Sequence, residues 1–92
     1  MVNAIVMINC SVDSIPEVAQ QVADIEGVEE VYSVTGSVDL IALVRLGRYE
    51  ELADIVSDRI AKIPGITSLA THLAFRTYSK SDLEEAFHLG LD

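Results

Sequence analysis

Disulfides, a tryptophan-anchored core and a membrane span are all missing from this chain of 92 residues, which has one cysteine, no tryptophan and two prolines. A lone cysteine excludes an intrachain disulfide and suits a reducing compartment. Cys10 stands at the end of an apolar run with no base in view, so it reads as packing rather than as a nucleophile. No apolar run approaches the roughly 18 to 20 residues of a membrane helix, and the N-terminus has neither a basic segment nor a small-residue cleavage site. A soluble, cytoplasmic protein is expected. Bases are scarce: six Lys and Arg, scattered, against fifteen Asp and Glu, for a formal charge of -9. Affinity for nucleic acid comes largely from clustered Lys and Arg, so direct contact with DNA or RNA is not expected. No set of His, Cys or carboxylates has metal-ligand spacing, and no cofactor is expected. No linker-like stretch divides the chain, and one domain with one core is the expected organisation.

What is abundant is apolar side chain. Half the residues are hydrophobic and the mean hydropathy is +0.35, more than a small globule readily hides. Self-association follows as an expectation. Val2 to Cys10 is apolar on both faces (Val2, Ala4, Val6 and Ile8 against Ile5 and Met7), as a central strand would be. Ser14 and Glu17 form a capping-box signature, with Pro16 in the first turn. They open a helix whose stripe is Ile15, Val18, Ala19, Val22 and Ala23, and Gly27 stops it.

Val28 to Thr35 alternates like an edge strand, with Val28, Glu30, Tyr32 and Val34 on one face. Gly36-Ser37 reads as a two-residue hairpin turn into Val38 to Leu46, which is again apolar on both faces. A second helix is predicted from about Arg48 to Ile63, with a stripe of Leu52, Ala53, Val56, Ile60 and Ile63, ended by Pro64-Gly65. Ile66 to Arg76 is a fourth strand, placing Leu69, Thr71, Leu73 and Phe75 opposite Ala70, His72, Ala74 and Arg76. A short helix is predicted over about 81–89, after a second capping-box signature, Ser81 to Glu84.

A shift of 38 residues aligns the halves. Ile5 falls on Leu43, Val18 on Val56, Val22 on Ile60, Gly27 on Gly65 and Val28 on Ile66. Each half is strand, helix, strand, and the joined units give βαββαβ. This is an α+β, ferredoxin-like sandwich with a four-stranded antiparallel sheet, a core over 2–78 and the short C-terminal helix. Right-handed crossovers put the first and third strands in the middle. Both helices then cover one sheet face, and the bare face predicts a sheet-to-sheet dimer of the dimeric α/β barrel type.

The run Val31-Tyr32-Ser33-Val34-Thr35-Gly36-Ser37-Val38-Asp39-Leu40, with Ile63-Pro64-Gly65-Ile66 leading to Thr71, resembles the ligand-binding (RAM) domain of the Lrp/AsnC, or feast/famine, transcription regulators. The match runs from Val2 to Ser79. The resemblance implies a non-catalytic module that binds a small amino acid between dimers, assembles into a dimer or a ring of dimers, and influences transcription. It implicates Thr35, Gly36, Asp39 and Thr71 in ligand binding, with Tyr32, Ser37 and His72 as secondary candidates by proximity. Backbone N–H groups around Gly36 suit a carboxylate and Asp39 suits an ammonium. The same hairpin is also what a turn needing glycine beside a solvated Asp looks like. Family members carry an N-terminal helix-turn-helix, and no DNA-binding domain is expected in residues 1–92, so any effect on DNA would come through full-length Lrp/AsnC-type partners.

Two other readings share this strand order. A small barrel-type monooxygenase or isomerase needs an acid-base set, and only His72 and His88 are at hand; His72, between Ala70 and Ala74, reads as a packed or partly exposed sheet residue. An ACT-like regulatory domain would bind its ligand at Asn9 to Ser14, which reads more simply as a strand exit and helix cap.

Overall fold

The computed structural model describes residues 2–80, and the helix expected over 81–89 lies outside them. Four strands, β1 (Val2–Cys10), β2 (Val28–Ser33), β3 (Leu40–Leu46) and β4 (Ile66–Ala74), form one sheet in the order β2-β3-β1-β4. All neighbours are antiparallel. The two runs that are apolar on both faces are the central strands, as a doubly covered strand requires.

Alternation along the strands sorts the side chains into two layers. Ala4, Val6, Ile8 and Cys10 of β1 and Leu40, Ala42, Val44 and Leu46 of β3 are buried on one face. Against them pack two helical segments. Helix α1 (Ile15–Ala23) supplies Val18 and Val22, both fully buried. The second segment, α2, begins as one α-helical turn (Glu50–Ala53), widens to a π-helical stretch (Asp54–Arg59) and ends in a tight 3-10 turn (Ile60–Lys62). It supplies Leu52, Ile55 and Ile60.

Four local expectations are corrected. Ser14 occupies the N-cap position of α1, but its side chain makes no capping bond. The Gly-Ser turn is not a two-residue hairpin: β2 ends at Ser33 and β3 starts at Leu40, leaving a six-residue connection over 34–39. The ladder of β2 slips between Val28 and Glu30. That bulge turns Val28 to the helix side, where it packs on the core, while Glu30 and Tyr32 stand opposite Leu43 and Ile41 on the bare face. In α2, Ile55 is buried and Ala53 is exposed. The π stretch explains this, because an α-helix would turn residues five apart about 140° away from each other. Here the Ile60 N–H reaches the carbonyls of both Ile55 and Val56, so Ile55 and Ile60 face the same core.

The second sheet face carries no helix among the described residues. Its middle is apolar along the two central strands, with Ile5 and Met7 of β1 beside Leu43 and Ile41 of β3, while His72 stands opposite Ile5 on β4 and Glu30 and Tyr32 lie on β2. Its two ends are polar. At one, Arg45 donates to the Asn3 side-chain oxygen at 3.2 Å and pairs with Glu29 at 3.3 Å. At the other, the Asn9 amide donates to Ser68 at 3.0 Å.

Candidate functional site

The connection over 34–39 is held at its base and open at its tip. The Val34 N–H donates to the Asp39 carbonyl at 3.1 Å, and the Asp39 N–H donates to the Ile8 carbonyl at 3.0 Å. Strand β1 runs past its last β3 partner, the Ile8–Leu40 pair. The side chain of Asp39 continues the ladder there: its Oδ2 accepts from the Cys10 N–H at 3.0 Å. A part-buried carboxylate receiving a backbone N–H is a charge-assisted bond, and it fixes the loop to the strand exit. Burial pushes the Cys10 thiol pKa up, and the neighbouring Asp39 charge pushes it further.

Thr35, Gly36 and Ser37 form the exposed tip. Gly36 has φ +111°, and a side chain there would meet nothing within 4 Å. Its conformation, not crowding, selects glycine. Tyr32, just before the loop, lies on the bare sheet face and donates its phenol to the Glu30 carboxylate. That bond comes first among the causes that raise its pKa, followed by desolvation and the Glu30 charge.

Thr71 and His72 stand elsewhere. Thr71 pairs with Val6 and His72 with Ile5, so Thr71 is on the helix side of β4 and His72 on the bare side. From Asp39 to Thr71 is two strand spacings across and about three residues along, or about 14 Å within one chain. One copy therefore gathers Thr35, Gly36, Ser37 and Asp39, with Tyr32 close by, but does not bring Thr71 to them. Thr71 instead lines an apolar groove of about 490 Å³ with Leu52, Ala53 and Val56 of α2.

Two features escaped sequence reasoning. One is the polar end of the bare face, where Arg45 interrupts the apolar alternation of β3 and could have been noticed for that reason. The other is an open cleft of about 520 Å³ at the end of the sheet away from the loop, rimmed by Glu26, Glu51, Asp54, Arg45 and Arg59. It forms only because α2 follows β3 closely, which residue types alone do not show.

The sequence profile of the Lrp/AsnC ligand binding domain matches residues 3–83. The chain belongs to this family. An uncharacterised HTH-type transcriptional regulator of Pyrococcus horikoshii is 43% identical over 61 residues, 66% of this chain and 41% of that protein. The chain thus spans about two-fifths of the length of such a relative. Among solved structures, TTHA0845 from Thermus thermophilus superposes with a TM-score of 0.83 at 41% identity, covering 87% of this chain and all of that one. The transcriptional regulator NMB0573 of Neisseria meningitidis, solved as a complex with L-Met, shares the fold at a TM-score of 0.75 and 14% identity, over 87% of this chain and 55% of that one.

Proposed function

We propose that this Lrp/AsnC domain binds a free amino acid and couples its presence to the assembly of a transcription regulator. The ligand site is built by the loop over 34–39 of one copy and β4 of another. In it, N–H groups around Gly36 receive the carboxylate, Asp39 takes the ammonium, and Thr35 and Thr71 hydroxyls complete the polar contacts. Tyr32, Ser37 and His72 are the outer positions. The observation that supports this reading is the exposed Thr35-Gly36-Ser37 tip held beside the Asp39 carboxylate; Thr71, about 14 Å away within one chain, would come from another copy.

Assembly follows the same logic. The bare sheet face has an apolar centre and polar ends, the anatomy of a protein interface, and two copies related by a two-fold axis would cover it sheet to sheet. Dimers paired in this way leave their loops free to meet other dimers. With a charge of -9 the module acts on DNA through partners of the regulator type, in the cytoplasm, and carries out no reaction itself. The L-Met complex of the Neisseria regulator supports an amino acid as the ligand class.

Native mass spectrometry of the protein, alone and with each of the twenty amino acids, tests this. A multiple of dimers that gains one ligand mass per site or redistributes with one amino acid is expected, and Asp39→Ala abolishes the response. A particle indifferent to all twenty amino acids overturns the reading.

A further inference from the structure

Beyond β4 the chain continues as residues 75 to 78 without a turn or bend. Phe75 is 102% exposed, as open as in a free peptide, and Tyr78 is 72% exposed. Neither these two nor Arg76 and Thr77 make a hydrogen bond or ion pair among the described residues. Two exposed aromatic rings on a short segment outside the sheet are an unfinished contact.

The groove between α2 and β4 has complementary chemistry. Its walls are Leu52, Ala53, Val56 and Thr71, with Tyr49 and Glu50 at the mouth. Among the described residues, Glu50 is the one acid on the lining of this groove. The arm brings the opposite charge: Arg76 lies between the two rings and Lys80 follows, with no acid over 75–80. Apolar rings beside a base match an apolar groove that carries Glu50.

We propose that residues 75 to 78 of one copy dock into the α2–β4 groove of a second copy, with Phe75 in the groove and Arg76 against Glu50. Reciprocal exchange would bury the rings of both arms. The arm starts four residues beyond Thr71, just past the end of β4, yet full exposure of Phe75 leaves it outside its own groove. Because Thr71 lines this groove and also belongs to the proposed effector site, the pairing is expected in the effector-free protein.

Crosslinking tests it. Thr77→Cys protein and isotopically labelled Ala53→Cys protein, co-assembled and treated with a short bismaleimide, are expected to give covalent dimers joined between positions 77 and 53. Both sites are exposed, so folding is not at stake, and the unsubstituted protein controls for the buried Cys10. Arg76→Glu in the arm is expected to lower the yield at least fivefold at low salt, and Glu50→Arg in the partner to restore it. Absence of 77–53 crosslinks overturns the proposal, even if the protein remains a dimer through its sheet faces. So do crosslinks confined within single chains of a doubly substituted protein, and so does a yield indifferent to the charge reversal.

Discussion

The two halves of the fold begin from one hydrophobic pattern and reach the core by different backbones. In the first, Val18 and Val22 stand four apart on a regular α-helix. In the second, the aligned Val56 and Ile60 are joined by Ile55, and the helix widens so that residues five apart share a face. Burial depends on where side chains land. The spacing of hydrogen bonds adapts to that demand, and a π turn is the local form the adaptation takes.

Large-to-small substitutions should break the likeness most. Ile60→Ala is expected to cost about 3 to 4 kcal/mol and the aligned Val22→Ala about 2 to 3, read from urea unfolding midpoints, since the isoleucine fills more of the core and leaves the larger cavity. Equal losses would mean that the widened helix collapses onto the gap.

The aligned glycines sharpen the comparison. Gly27 and Gly65 have φ +102° and +98°, a region costing about 1 to 2 kcal/mol for an L side chain. A Cβ at Gly65 would stand 2.9 Å from Ser14 Cβ, an atom tied to the backbone, whereas at Gly27 it would meet the movable ends of Ile55 and Leu46 at 2.8 and 2.9 Å. Gly65→Ala should therefore cost about 2 to 3 kcal/mol, Gly27→Ala less, and Gly36→Ala only the conformational part. Calorimetry on the three variants checks the order.

Deleting Ser57 would bring Ile55 and Ile60 to a spacing of four. The expected outcome is a regular helix with both isoleucines still buried and stability within about 1 kcal/mol of the parent, measured by circular dichroism during urea unfolding. A loss equal to that of Ile60→Ala would show that the wide turn is required.

The smallest difference lies at the strand exits, where Cys10 of the first half aligns with Arg48 of the second. The Cys10 pKa is raised in the fold above its ordinary 9.0. The unfolded thiol releases its proton first as pH rises, so stability is intact below about 9 and declines between the unfolded and folded pKa values. Cys10→Ala should flatten part of the alkaline arm of a stability-pH curve, leaving the part due to Tyr32, whose phenol is also raised.

Strand order, the two central strands and the single helical face were legible because alternation and a 38-residue repeat act over long stretches. The bulge at Val28 to Glu30 was not, since one extra residue leaves no compositional mark. Ile55 was missed because a period of 3.6 was assumed through a segment that departs from it. At the site, Thr35, Gly36 and Asp39 were readable as a polar loop. The bond from the Cys10 N–H to Asp39 was not, because it joins residues 29 apart in sequence.

That bond also makes the corner of the sheet report on itself. Its N–H belongs to the chain's one cysteine, whose side chain is buried in the core, so a thiol reagent reaches the sulfur only when packing around the strand exit opens. The labelling rate of the untouched protein is then a clock for that opening, and anything that competes for the Asp39 carboxylate must change its pace.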